Sequence, residues 1–177
     1  WSAKFARVQQ HSTEKVFMNT PMTIAVFAAI VGSALISGIF FAFSNFIMKA
    51  LQRVPSPEGL LAMQTINVTV LNRGFLGVFM GTALICLILA VISIAEWDLA
   101  RSPYLLGGAV AYIGGTWLVT VLGNVPLNNE LAALDRDKPE SQKAWADYLE
   151  RWTRLNSQRA GAAICAATLF FIALTIS

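Results

Sequence analysis

The chain has 177 residues, 56% of them hydrophobic and 13% charged, with a mean hydropathy of +0.60. A soluble domain carries about 25% charge, and here the deficit is concentrated in long apolar runs, which excludes an ordinary soluble domain and points to an integral membrane protein. The net charge of +3 is no sign of nucleic-acid binding, because Lys and Arg gather in membrane-protein loops for topological reasons. A single histidine, His11, nearly excludes haem ligation, His-rich metal sites and Ser-His-Asp chemistry. Cys86 and Cys165 both lie inside apolar runs, which argues against a disulfide framework.

Residues 1–21 read as a polar N-terminal extension, with Lys4, Arg7 and Lys15 and no apolar core. The first residue is Trp1, and Met18 or Met22 would also suit as a start, so the segment is an extension or part of a longer chain. It does not read as a secretory signal: the run after it is too long for an h-region and lacks a convincing cleavage site. The first apolar run, Met22 to Leu51, is long enough to span a bilayer with tilt. Pro55 and Pro57 end it, and Pro57-Glu58 suits a new helix start. Gly59 to Asn72 then reads as a loop helix, amphipathic or partly buried, or continuous with the second run, Gly74 to Ala95. Tyr104 to Gly123 is the third run. Asn124-Val-Pro-Leu-Asn-Asn129 is predicted to break the helix, since Pro126 disfavours helix at Val125. Asn128 or Asn129 would then cap a helix from Glu130. After a polar turn at 135–140, Ser141 starts a helix that leads into the fourth run, Ala160 to Ser177.

The expected architecture is all-α: a four-transmembrane-helix bundle over residues 22–177, with a short loop helix after span 1 and an amphipathic extension leading into span 4. An even number of spans puts both termini on one side. The long loops, 52–73 and 128–159 with their margins, hold nine Lys and Arg against four for the N-terminal segment and the 96–103 loop. The positive-inside tendency therefore places the long loops in the cytoplasm and the termini outside. Small residues recur at helix-contact spacing: Ala34, Gly38, Ala42 and Asn45; Gly107, Ala111 and Gly115; Ala163, Ala166 and Ala167. Such faces let membrane helices approach closely.

One helix face stands apart. At about 100° per residue, Trp145, Tyr148, Trp152, Asn156 and Arg159 fall within about 80° of one another. Lys143, Asp147, Glu150, Arg151 and Arg154 fall on the other side. Buried polar groups in membrane proteins face the bundle or a cavity because lipid penalises them. Ser37, Ser44, Asn45, Gln64, Asn67, Asn72, Thr116, Thr120, Asn124, Asn128, Tyr148, Asn156 and Arg159 qualify, and most lie toward the end with the two long loops. Plainer roles stay open for each: interfacial anchoring for the indoles, bonding to their own backbone for Thr116 and Thr120, capping for Asn124 and Asn128, snorkelling for Arg159.

Four segments in order, Phe40-Phe-Ala-Phe-Ser-Asn-Phe-Ile-Met48, Ala62-Met-Gln-Thr-Ile-Asn67, Asn124-Val-Pro-Leu-Asn128 and Trp145-x2-Tyr148-x3-Trp152-x3-Asn156-x2-Arg159, resemble the anthrone oxygenase family of small four-helix membrane proteins. The resemblance covers about residues 22 to 177. It implies a four-helix membrane fold. A few fungal members oxidise polyketide anthrones to anthraquinones with O2 and no evident metal or flavin, so it implies no cofactor. One departure is Ser157, where members often carry His after the Asn of the last motif.

Under that resemblance, the expected chemistry is proton loss from a flat carbon acid to give an enolate that reacts with O2. Arg159, Asn156 and Tyr148 are the catalytic candidates. Trp145, Trp152, Asn67, Asn124 and Asn128 are the substrate-binding candidates: indoles and phenol to stack on the ring, guanidinium and amides to hold the oxyanion. The face offers no clear base. The competing expectation is a non-enzymatic accessory or structural subunit of a larger membrane complex that binds lipid, a quinone, a pigment or partner helices. A transporter is disfavoured by the lack of acidic residues in the spans.

Overall fold

The computed structural model describes residues 19–176. The expectations for the polar extension up to Met18, His11 included, fall outside it. Helix α1 (Thr20–Arg53) starts where Asn19 accepts the Met22 amide at 3.0 Å, with Pro21 in the first turn. Helix α2 (Ser56–Thr69) carries Pro57 and Glu58 in its first turn, as the sequence predicts. It is not continuous with the next span. Asn72 adopts extended backbone and accepts the Gly74 and Phe75 amides at 3.0 Å, starting α3 (Arg73–Ala95). Asn72, a pocket candidate by sequence, is therefore a helix cap. Helix α4 is Ser102–Ala132 and α5 is Glu140–Thr175. All four of α1, α3, α4 and α5 are long and apolar enough to cross a membrane. At 1.5 Å per residue α5 is about 54 Å long, so it projects well beyond a hydrocarbon core of about 30 Å.

The predicted break at Pro126 does not occur: α4 runs through it, and Asn124 has ordinary helical angles (φ −72°, ψ −38°). The reason is a change of helix type. Residues Ala111–Leu118 and Thr120–Asn124 form π-helical turns, and the Val125 amide bonds to the Thr120 carbonyl five residues back. In an α-helix the proline ring would strike the carbonyl four residues upstream. The extra residue in the wider turn moves that carbonyl out of register. Asn128 consequently lies inside a helix instead of capping one. Helix α1 has a π turn of its own at Phe43–Ile47.

Two apolar cores result. One lies among the spans and includes Ile36, Phe40, Phe79, Leu89, Tyr112 and Phe170. Backbones approach closely there: a Cβ on Gly32 of α1 would collide with Thr82 of α3, and one on Gly108 of α4 would meet the Phe170 ring of α5 at 2.7 Å. Ala163, Ala166 and Ala167 are buried, as the small-residue faces predict. The face of Ala34 and Gly38 differs: it is exposed, and Gly38 has open space over it. The second core joins Met48 of α1, Leu60 and Met63 of α2, Leu127 and Leu131 of α4, and Trp145, Tyr148 and Trp152 of α5. Gly59 of α2 permits it, since a Cβ there would meet the Leu51 carbonyl at 2.7 Å and the Trp145 ring at 3.1 Å.

Candidate functional site

The predicted stripe on α5 is buried along its whole length, while Lys143, Asp147, Glu150, Arg151 and Arg154 are exposed. Its lower part is a packed aromatic column. Trp145 and Tyr148 stack at 5.7 Å between centroids, and Tyr148 and Trp152 at 6.2 Å. Asn128 of α4 accepts from the Tyr148 hydroxyl (3.0 Å) and from Trp152 Nε1 (2.8 Å). Asn67 of α2 donates to the Tyr148 oxygen at 3.4 Å. Asn124 donates to the Trp152 carbonyl at 3.3 Å, and its buried Oδ1 has no partner among the described residues. Bonded to amides on both α2 and α4, the Tyr148 hydroxyl braces α5 against them. Gln64, another polar candidate, donates to the Leu131 and Leu134 carbonyls and ties α2 to the end of α4.

The upper part of the stripe is a polar layer between the two cores. Arg159 is 5% exposed. Its Nε and Nη2 donate to Asn156 Oδ1 at 3.1 and 2.8 Å, and Nη1 donates to Thr120 at 3.2 Å. Its guanidinium lies 3.8 Å from the centroid of Phe40 and 5.1 Å from that of Trp152. No carboxylate pairs with it among the described residues. A buried cation held only by neutral groups and ring faces is costly, because its desolvation is not offset by a counter-ion, and the cation–π contacts return only part of that cost.

Asn156 links this cation to α1 and is polarised by it. Its Oδ1 is occupied by Arg159, and its Nδ2 donates to the Phe40 carbonyl and to Ser44 Oγ, both at 2.6 Å. Ser157 Oγ lies 2.9 Å from Ser44 Oγ. The one Ser157 hydrogen has both Ser44 Oγ and the Thr153 carbonyl at 2.9 Å as acceptors, and Asn156 donates to Ser44 Oγ, so the Ser44 hydrogen is the one left to face the groove. The π turns coincide with this layer: Ser44 sits in that of α1, and Thr116, Thr120 and Asn124 in those of α4. Thr116 donates to the Arg159 carbonyl at 3.0 Å, joining α4 to α5, while Thr120 bonds its own helix at Thr116.

Ser44 and Ser157 open onto a groove between α1 and α5. One compartment, about 620 Å³, is walled by Ala34, Ser37, Gly38, Phe41, Asn45, Ala160, Gly161 and Ile164 around the two serines and Lys49. A second, about 510 Å³, shares Ser44, Lys49 and Ser157 and adds Gln52, Glu150, Thr153 and Arg154. A third cavity of about 280 Å³ touches Tyr148 between α4 and α5. None of the three is lined by Trp145, Trp152, Asn67, Asn124, Asn128, Asn156 or Arg159. The catalytic and substrate-binding candidates by sequence thus converge, but as the packed wall behind a groove and not as its lining, whereas Ser37, Ser44 and Asn45 of the wider polar set do line it. Periodicity does not single out the groove residues Ser157, Lys49 and Arg154. A signal exists in the small residues Ala34, Gly38, Ala160 and Gly161 on two helices, although on α1 such spacing predicts close helix contact instead. Among the described residues no three His, Cys, Asp or Glu side chains gather as a metal site would require.

The sequence profile of the anthrone oxygenase family matches residues 68–169, more than half of the chain. The chain belongs to the anthrone oxygenase family. No curated protein and no solved structure matches it. The matched segment contains α3, α4 and α5 as far as Leu169, hence Asn124, Asn128 and the whole stripe to Arg159. The Phe40–Met48 and Ala62–Asn67 segments that also carry the family resemblance lie before it, and they supply Phe40, Ser44 and Asn67 to the contacts above.

Proposed function

We propose that this membrane protein oxidises a flat, carbonyl-bearing aromatic carbon acid with O2 in the groove between α1 and α5, without a cofactor of its own. The observation that carries the reading is the buried, carboxylate-free Arg159, linked through Asn156 to Ser44 at the groove wall. An anthrone loses a proton from the carbon between its outer rings, and the charge moves onto its carbonyl oxygen. With that oxygen at the Ser44 hydroxyl, beside Ser157, the enolate accepts a hydrogen bond from Ser44 that Arg159 strengthens through the polarised Asn156 amide. Preorganised donors of this kind supply most of the rate enhancement in many enzymes. Ser44 and Ser157 are then the residues in contact with substrate, and Asn156 and Arg159 are positioning residues. Among the described residues the only titratable side chains along the groove, Lys49, Glu150 and Arg154, are exposed, so the substrate proton leaves to water at the open end. The carbanion's electron pair reduces O2 to a hydroperoxide on the same carbon. Loss of water from it leaves the new carbonyl, so each anthrone consumes one O2 and releases one water.

The loops at the Asn67 and Leu134 end face the cytoplasm in this reading, and the termini face out, as the distribution of Lys and Arg supports. The 128–159 region is largely helical, with the turn confined to residues 133–139. The test is dioxygen uptake by the purified protein on addition of anthrone, with anthraquinone followed by its absorbance. Uptake and quinone should rise one for one above the rate without protein. No uptake above that rate would discard the enzyme and leave the accessory-subunit reading, which the closed packing of Trp145, Tyr148 and Trp152 favours for that part of α5.

A further inference from the structure

The groove has a second chemical character at its solvent end, and the oxidation itself makes no use of it. Its two compartments are continuous, because Ser44, Lys49 and Ser157 line both. The first is walled mainly by small and apolar side chains beside the spans. The second holds Lys49 from α1 and Arg154 from α5, with Gln52 and Thr153 as further hydrogen-bonding groups and Glu150 as the one carboxylate. The two cations thus come from opposite walls of one cleft. Among the described residues neither is in an ion pair, and Glu150 is in none either. A molecule whose reacting carbonyl sits at Ser44 and Ser157 has its far edge in this second compartment. A neutral edge leaves both cations without a partner.

Resting on the oxidation reading above, we propose that the substrate is an aromatic carbon acid that also bears a carboxylate, held between Lys49 and Arg154 while the fused rings occupy the apolar compartment. Two cations against one carboxylate give the compartment a single net positive charge, which suits a monoanion better than a phosphate dianion, since Glu150 opposes the second negative charge. The compartment lies at the exposed end of the groove, so the carboxylate does not enter the hydrocarbon region, where a charge is expensive. Arg154 offers the planar fork that binds a carboxylate through two parallel bonds, and Lys49 adds a point charge. The anionic group also orients the ring: it fixes which edge meets Ser44 and so which carbonyl receives the charge from the Arg159 side.

The test uses two non-reacting, product-like ligands of the same shape, anthraquinone-2-carboxylate and anthraquinone-2-carboxamide, with the full chain in phosphatidylcholine nanodiscs. The carboxylate should bind about 10-fold more tightly than the carboxamide, an advantage that shrinks with added salt as screening grows. The double variant Lys49→Gln/Arg154→Gln should reduce the advantage to under about twofold, and Glu150→Gln should enlarge it. Equal binding of both ligands by the unaltered protein would overturn the carboxylate proposal and leave the oxidation reading standing. Failure of both ligands to bind would overturn both. An advantage that Glu150→Gln leaves unchanged would also count against the proposal, independently of how the double variant folds. Displacement of both ligands by phosphatidylglycerol would assign the cationic end to lipid and overturn it as well.

Discussion

Two arginines are buried, one at the start of α4 and one between the two cores, and they are treated differently. Arg101, 8% exposed, lies 3.5 Å from Asp98 and donates to the Ile176 carbonyl at 3.0 Å, at the C-terminal end of α5. Its charge meets a carboxylate and the negative end of a helix dipole. Arg159, 5% exposed, meets only an amide oxygen, a hydroxyl and two ring faces. The first arrangement compensates a cation and ties the end of α5 to the start of α4. The second retains an uncompensated cation next to a chain of hydrogen bonds that ends in a groove. Stability alone would favour the first solution at both places, so the uncompensated one is where function is expected.

The largest effect that can break this comparison is on Arg159 itself. Arg159→Met keeps an unbranched apolar stem but removes the charge and the guanidinium over Phe40; anthrone-dependent oxygen uptake should fall about 100-fold, by analogy with loss of an oxyanion donor. The fall should be in kcat, with KM nearly unchanged, and Arg159→Lys should recover part of it. Arg101→Gln should leave uptake unchanged and lower thermal stability by about 1.5–3 kcal/mol, the scale of a lost charge-assisted bond. Equal loss of activity in both variants would erase the distinction between the two arginines.

The aromatic column sharpens the contrast by separating packing from charge. Asn128→Ala leaves the Tyr148 hydroxyl and Trp152 Nε1 without their acceptor, and each unpaired buried group costs about 1–3 kcal/mol. The expected result is a clear fall in melting temperature, with residual activity per folded molecule within about threefold of the original. Loss of activity without loss of stability would move Tyr148 and Trp152 from scaffold to reaction. The smallest expected effect is a gain. Ser157→His places an imidazole at the groove wall beside Ser44; uptake should rise severalfold with an inflection near the ordinary histidine pKa of about 6.5. A flat pH profile would show that the groove position does not reach the substrate.

The spans and the stripe are legible in the sequence because each rests on local periodicity. Apolar runs set the helices, and the 3.6-residue repeat separates Trp145, Tyr148, Trp152, Asn156 and Arg159 from the charged face of α5. Pro126 misleads because sequence rules assume α-helical register, whereas π turns absorb the proline. Arg101 reads as a plain loop cation because its carbonyl partner, Ile176, is 75 positions away. The groove is hidden for a related reason. Which face of α1 lies against α5 depends on packing at Ser37, whose hydroxyl donates to the Ala160 carbonyl at 3.0 Å. That contact turns Gly38 outward, and no pattern within α1 alone specifies it.

The most direct test of whether the Arg159 charge reaches the groove is the ionisation of a bound phenol. A hydroxyanthraquinone, titrated on the purified protein and read from the visible band of its anion, reports the electrostatic potential where the substrate oxygen lies. On the unaltered protein its apparent pKa should lie at least about one unit below its value in protein-free micelles, a difference of about 1.4 kcal/mol in favour of the anion. On Arg159→Met that shift should vanish while the phenol still binds. A bound phenol with no shift, or with the same shift in both proteins, would contradict the account.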